Sequence, residues 1–252
     1  MDRTVEVATT YNREYYDLIG KRMVESFVKH WPRHIKLHIY WQEAEPEIIE
    51  ENLVYHELYR VQPQLKRWVD SHSDPVYHGW REDRGKFVWK NNGVKFSHKV
   101  FAQTHRIRNS EADILLYSDA DTVYHADPDL EYLSEICPSD SLCTFFDRPK
   151  FRDETGFYMH NPQHPRAKEW AERLEQIYLT GEVWTYAENK SADQYTMAHG
   201  RDSFKDCKQM DLMRHHWSQP YYGIDFKDPV PTSPLSKFLQ HLKGGKKGDI
   251  HK

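Results

Sequence analysis

Hydrophobic and polar positions fall into readable periods from the first residues of the chain. Val5 to Thr10 reads VEVATT, alternating and rich in β-branched residues, which predicts a strand. Leu18, Ile19, Met23 and Phe27 then recur at helical spacing across Tyr15 to His30, and Pro32 stops that helix. Ile35 to Trp41 predicts a second strand. The chain therefore opens β-α-β, a unit that places its strands parallel with a right-handed crossover. From about 43 to 92 the pattern turns polar and Pro-interrupted. A helix is expected near Pro46 to Leu58, no period follows Pro75, and the stretch reads as an irregular insertion. Val94, Val100, Phe101 and Ile107 then mark a helix from Val94 to Arg108, and Ala112 to Tyr117 is a short apolar strand. Further strands are expected at Ser141 to Phe146 and Gly156 to His160. Pro165 to Leu179 predicts a helix ended near Gly181, and Asp193 to His199 a short one. This alternation calls for one α/β domain spanning 1–252, with an open, mostly parallel, Rossmann-like sheet flanked by helices and a small antiparallel element toward the C-terminus. Ligands of such sheets bind beyond the carboxyl ends of the strands.

Composition narrows the classes of function. The 252 residues suffice for a sizeable core, and the longest apolar runs are far too short to cross a bilayer. Residues 1–4, Met-Asp-Arg-Thr, run directly into the first strand without an apolar leader region, so a cytoplasmic location is the expectation. Three cysteines with neither CxxC spacing nor a dense framework argue for free thiols. A net charge of −4 argues against a protein that binds nucleic acid by neutralising many phosphates.

The chemistry concentrates in the segment ILLYSDADTVYHADPDL, where an apolar strand opens onto Asp119 and Asp121. If the strand conformation persists, the two carboxylates project to one side and can share a divalent cation. A nucleoside diphosphate leaving group needs such a cation, because charge builds on its oxygens as the bond to it breaks. The plain alternative is a polar turn after a strand. Far along the chain, HLKGGKKG supplies His241, Gly244 and Lys247: an imidazole that can complete a metal shell, a glycine that lets backbone approach phosphate, and a cation for the diphosphate. Alone, that run reads as a solvated basic tail. Between the two lie ETGFYMHN, from Glu154 to Asn161, and the pair Asp193-Gln194, which can orient hydroxyls.

The order of these features resembles the retaining GT-A glycosyltransferases of family 8, the glycogenin and lipopolysaccharide galactosyltransferase type. The series is a first strand with a polar end (Thr9, Thr10, Tyr11), a helix bearing Lys99, the DAD motif, a strand opened by Gly156, Asp193-Gln194, and HxxGxxK. The resemblance implies a nucleotide-sugar-binding half over 1–125 and an acceptor half with a metal-binding C-terminal segment over 126–252. It also implies Mn²⁺ or Mg²⁺ held by Asp119, Asp121 and His241, with Gly244 and Lys247 at the diphosphate and Thr9, Thr10 and Tyr11 against base and ribose. Lys99 stands where the family usually has an arginine facing diphosphate and sugar, and it keeps the charge without the bidentate fork. Asp193 and Gln194 would orient donor and acceptor. Two positions depart from the family pattern: Glu154 replaces an asparagine two residues before Gly156, and Gly248-Asp249 replaces Pro-Trp after Lys247.

The expected activity is thus metal-dependent transfer of a hexose, with retention, from a nucleotide sugar, UDP-linked by the resemblance, to a glycan, a lipid-linked sugar or a protein. A nucleotidyltransferase would share the carboxylates, but no Gly-rich nucleotide loop stands near the first strand of this chain to support it. A glycoside hydrolase would need no diphosphate cation. A non-catalytic nucleotide-sugar binder would keep the fold without turnover. His215-His216 reads as surface, Asp127 or Asp129 as a helix cap, and Trp184, Tyr186, Trp217, Tyr221 and Tyr222 as an acceptor platform or simple packing.

Overall fold

The structure is a computed structural model that describes residues 3–43, 45–148, 151–186, 191–214 and 227–242. Strand β1 (Val5–Asn12) runs into α1 (Arg13–Tyr15), where the Asn12 side chain accepts the Tyr15 N–H at 2.9 Å. The chain continues through a π turn (Tyr16–Gly20) into α2 (Lys21–His30) and β2 (Lys36–Gln42). β2 lies parallel to β1, as the opening pattern requires.

The stretch read as an irregular insertion is ordered. In place of a helix near Pro46 to Leu58 the chain forms β3 (Leu53–Glu57), parallel to β2, and residues 46–50 carry no regular structure. The open edge of β2 decides this conformation, since Val54 and Tyr55 suit a pleated surface and pair with His38 and Ile39. Two helices follow, α3 (Leu58–Val61) and α4 (Pro63–Ser71), the latter opened by Pro63. Next comes a hairpin of β4 (His78–Arg81) and β5 (Lys86–Asn92), which turns through Gly85 at φ 56°.

α5 (Gly93–Asn109) is capped by Asn92, whose side chain accepts the Lys95 N–H at 2.8 Å. β6 (Ile114–Ser118) and β7 (Thr122–Tyr124) lead to α6 (Leu130–Ile136), which Asp129 caps through the Tyr132 N–H at 2.9 Å. The remaining elements are β8 (Cys143–Phe145), β9 (Asp147–Arg148), β10 (Arg152–Asp153), β11 (Phe157–His160), α7 (Ala167–Leu179), α8 (Asp193–Asp202), β12 (Met210–Asp211) and β13 (Leu239–His241).

Seven strands form one sheet in the order β12-β8-β11-β6-β1-β2-β3. β11 runs antiparallel to both neighbours, and the other pairs are parallel. Central β6 is buried on both faces. Ile114 and Leu116 pack with Met23, Phe27 and Leu133 on one side, while Leu115 and Tyr117 pack with Phe101, Trp170 and Leu174 on the other. β13 pairs antiparallel with β7 in a separate ribbon, the small antiparallel element expected late in the chain. Among the described residues no helix is long and apolar enough to cross a membrane.

Buried His160 and half-buried His56, His98 and His105 are held in their neutral form. Trp170 donates to His160 Nδ1 at 3.2 Å, which leaves the Nε2 proton for Gln103 Oε1 at 2.9 Å. Burial lowers His160 to about 3 and His98 to about 4. Burial, helped by neighbouring His38, His105 and Arg106, lowers His56 to about 4, and burial with Arg106 and Arg108 does the same to His105. Between the ordinary histidine value near 6.5 and these depressed values the unfolded chain binds more protons than the native one, so stability falls as pH falls through that window. The urea midpoint is expected to be lower at pH 5 than at pH 7. Equal midpoints would mean that these imidazoles protonate freely in the native state.

Candidate active site

β6 delivers Ser118 to the carboxyl edge of the sheet, and the chain then turns rather than continuing extended. Thr122 N–H donates to Asp119 C=O at 2.9 Å and Asp119 N–H to Gly156 C=O at 3.1 Å. The two aspartates are therefore brought together by a turn and not by strand alternation, which corrects the geometry expected from the sequence. The i to i+2 spacing serves equally well, because β7 begins at Thr122 and fixes the far end of that turn. β13 lies against β7 with His241 opposite Thr122, and Leu242 N–H donates to Asp121 C=O at 2.8 Å. His241 Nε2 thereby stands 3.0 Å from Asp121 Oδ1 and 3.8 Å from Asp119 Oδ2. One ligand atom from each of the three residues lies within 4.8 Å of the others, close enough to hold one cation.

Gly156 makes room for that imidazole. A Cβ at this position would lie 2.1 Å from His241 Cε1, so the ring occupies the space a side chain would need. Gly156→Ala is expected to displace His241 and weaken Mn²⁺ binding by about tenfold or more, an effect comparable with losing a group that orients a metal ligand. Calorimetric titration with Mn²⁺ checks this, and unchanged affinity would show that the imidazole is not a ligand.

Lys99, from the middle of α5, is 8% exposed and bridges two carboxylates, Asp119 Oδ1 at 2.5 Å and Asp193 Oδ2 at 2.7 Å. Burial would lower its pKa, but the charges of Asp119 and Asp193 overcome this and raise it, so the ammonium is fixed in its charged form. Asp193 Oδ1 accepts the Gln194 N–H at 2.9 Å. Burial pushes the Asp119 carboxyl up, with Asp121 and Asp193 adding to the effect and Lys99 and His241 opposing it. For His241, burial acts downward, and the hydrogen bond to Asp121 with the charges of Asp121, Glu154 and Asp119 carries it above its ordinary value. Asp119 thus divides its oxygens, one toward Lys99 and the other toward His241.

Arg148 was not marked by any sequence pattern. It lies buried on β9, donates to Glu154 Oε2 at 2.8 Å and to Gln194 Oε1 at 3.4 Å, and grips the Asp153 carbonyl at 2.8 Å. Glu154 also accepts the Gly156 N–H at 2.9 Å and places Oε1 3.8 Å from His241 Nδ1. Its partner Arg148 accounts for a carboxylate at the position where asparagine was expected. The sequence signal available was Glu154 itself, since a buried carboxylate calls for a nearby cation. The linked cluster holds four carboxylates (Asp119, Asp121, Glu154, Asp193) against two fixed cations (Lys99, Arg148). That leaves an excess of two negative charges beside His241, and the oxygen-rich donor set with one imidazole suits Mn²⁺ or Mg²⁺.

The cluster opens into a cavity of about 1100 Å³ at the carboxyl ends of β1 and β6, large enough for a nucleotide-sized ligand. Thr10, Tyr11, Lys99, Asp119, Asp121, Asp193, Gln194 and His241 all line it. Thr9 does not: it is fully buried in the sheet. Thr10 donates its hydroxyl to Tyr40 C=O at 2.7 Å, and the Tyr11 ring packs on Tyr16 with centroids 5.0 Å apart. Gly244 and Lys247 lie outside the described residues, as do His215-His216, Trp217, Tyr221 and Tyr222. Trp184 stacks parallel to Trp68 at 6.1 Å, and Tyr186 stacks on His199 at 4.0 Å, so both serve packing.

No protein-family model matches this chain, and no curated protein sequence does. Solved structures do match. Mouse xyloside xylosyltransferase 1 aligns with a TM-score of 0.53 at 11% identity, covering 89% of this chain and 93% of that one. The glycosyltransferase GlyE of Streptococcus pneumoniae gives 0.56 at 14% identity over 100% of this chain and 57% of its own. The bifunctional glycosyltransferase WbbM gives 0.50 at 13% identity, over 84% of this chain and 39% of its own. The fold is that of the GT-A glycosyltransferases, a mostly parallel sheet flanked by helices with small antiparallel sheets beside it.

Proposed function

We propose that this protein is a metal-dependent glycosyltransferase that moves a hexose from a UDP-linked sugar to an acceptor hydroxyl with retention of configuration. The observation that carries the reading is the convergence of Asp119, Asp121 and His241 at the mouth of a large cavity on a GT-A fold. Donor and stereochemistry rest on the resemblance to family 8 described above.

Asp119 through Oδ2, Asp121 and His241 would hold the cation. When bound, a divalent cation supplies Lewis-acid stabilisation of the charge that develops on a departing diphosphate. Lys99 lines the cavity with its ammonium bracketed by Asp119 and Asp193, so it would bring positive charge to the diphosphate and sugar side from a position fixed by two carboxylates. It also holds Asp119 and Asp193 in place. Arg148 fixes the carbonyl end of the Gln194 amide, which leaves the amide N–H groups to orient a sugar hydroxyl. Thr10 and Tyr11 border the cavity at the end of β1, where base and ribose would lie.

Release of nucleoside diphosphate from a panel of nucleotide sugars, with and without Mn²⁺, tests the proposal. Manganese-dependent release from a UDP-sugar is expected, and the anomeric configuration of the transferred sugar reports on retention. Nucleotide-sugar binding with no release or transfer, even in the presence of acceptor mixtures, would favour the non-catalytic reading.

A further inference from the structure

Five large hydrophobic side chains are exposed among the described residues, and three of them, Val76, Phe87 and Trp89, belong to the β4–β5 hairpin and the turn before it. Phe87 is 65% exposed and Trp89 61%, so both rings present their surfaces to solvent at a cost that packing elsewhere in the fold avoids. Trp89 is not loosely placed. Phe96 meets its ring edge-on at 6.0 Å, and the Lys90 ammonium lies 5.4 Å from its centroid.

The hairpin also borders a second cleft of about 480 Å³, lined by His78, Phe87, Trp89, Asn92, Lys95 and Phe96 among others. His78, Trp89, Asn92, Lys95 and Phe96 line the main cavity as well, so the two spaces adjoin. Phe96 stands on the first turn of α5 and Lys99 one turn later, about 4.5 Å further along the helix axis. An occupant of the smaller cleft therefore lies on the approach to the cluster around Asp119.

Resting on the glycosyltransferase reading, we infer that this cleft is the acceptor subsite, and that it takes a carbohydrate whose pyranose ring stacks on Trp89. A sugar is polar at its edges and apolar on its C–H face. The cleft matches that division, with a flat exposed indole and with nitrogen-bearing side chains, His78, Asn92, Lys90 and Lys95, around or beside it. Lys95 is held over Tyr15, whose hydroxyl it reaches at 3.1 Å, so the polar edge is anchored to the main cavity rim. The shared wall with the main cavity favours an acceptor over an unrelated protein or lipid partner, since it puts a bound sugar beside the donor.

The test is binding of the wild-type protein, Trp89→Ala and Trp89→Phe to an array of immobilised oligosaccharides, with transfer and donor hydrolysis then measured on the glycans bound. The expected result is that the wild type retains one class of glycan, that Trp89→Ala weakens this by about tenfold, and that Trp89→Phe restores much of it. The ratio of transfer to donor hydrolysis is expected to fall with binding in Trp89→Ala. Absence of glycan binding by a wild-type protein that hydrolyses a donor would overturn the subsite, as would binding that Trp89→Ala leaves unaltered. Association confined to phosphatidylglycerol vesicles run in parallel would overturn it too. Glycan binding through Trp89 in a protein that turns over no donor would instead overturn the catalytic reading and leave the carbohydrate cleft standing, so the two failures are distinguishable.

Discussion

Asp121→Ala is expected to reduce manganese-dependent release of nucleoside diphosphate by about 10²–10³-fold, the scale of loss when one stabilising group is withdrawn from a developing anion. Asp121 is the carboxylate nearest His241, and its backbone carbonyl also receives the Leu242 N–H. The substitution deletes a ligand atom while leaving that backbone bond available, so the fold should survive. Two readouts decide the matter: turnover of the donor identified for the wild type, and Mn²⁺ affinity by electron paramagnetic resonance. Loss of both, with an unchanged circular dichroism spectrum, supports the Asp119-Asp121-His241 site. Full activity in the variant would mean that catalysis proceeds without this site.

The largest expected loss of stability comes from Arg201→Ala. Arg201 grips both oxygens of Asp153, at 2.8 Å and 2.7 Å, and its guanidinium lies 3.6 Å from the centre of the Phe145 ring. Asp153 is 0% exposed, with the Tyr158 hydroxyl donating to it at 3.3 Å. Removing the arginine strands a carboxylate in the interior, which costs about 3–5 kcal/mol in comparable buried pairs. Urea denaturation should show a lower midpoint with an unchanged slope. Replacing both partners, as Asp153→Leu with Arg201→Met, should recover much of that loss, because the desolvated charges disappear together. The effect should reach activity as well. Asp153 precedes Glu154, and Arg201 closes the helix that begins with Asp193 and Gln194, so the pair ties two parts of the site together.

How far the sequence disclosed these features depended on whether local pattern or distant packing decided each one. β1, α2, β2, α5, β6, β11 and α7 follow from the periodicity of their own residues, since each buries one face or both against the sheet. β3 escaped because Ile48, Ile49 and Leu53 suggest a helical stripe, and only the free edge of β2 selects the extended form. The hairpin escaped because Phe87 and Trp89 are exposed and Trp80 only half-buried, so its aromatic residues mark no buried period. In the site, the DAD motif and His241 were legible as metal-binding types, and their meeting rests on the β7–β13 pairing that no local pattern announces. Arg148 was invisible because a lone arginine on a two-residue strand carries no periodicity. Thr9 was drawn into the site by its neighbours, but it sits fully buried within the sheet, one residue short of the strand end where Thr10 and Tyr11 border the cavity.

The ribbon of β7 and β13 also sets a timing for the birth of the site. The two aspartates emerge from the ribosome some 120 residues before the histidine that completes their set, and the sheet strands from β1 to β12 precede β13 in synthesis. A nascent chain can therefore assemble most of its sheet while still unable to grip a cation in the native manner. The three candidate ligands come together only when the three residues of β13 settle beside β7, so the site would be among the last features of the fold to form.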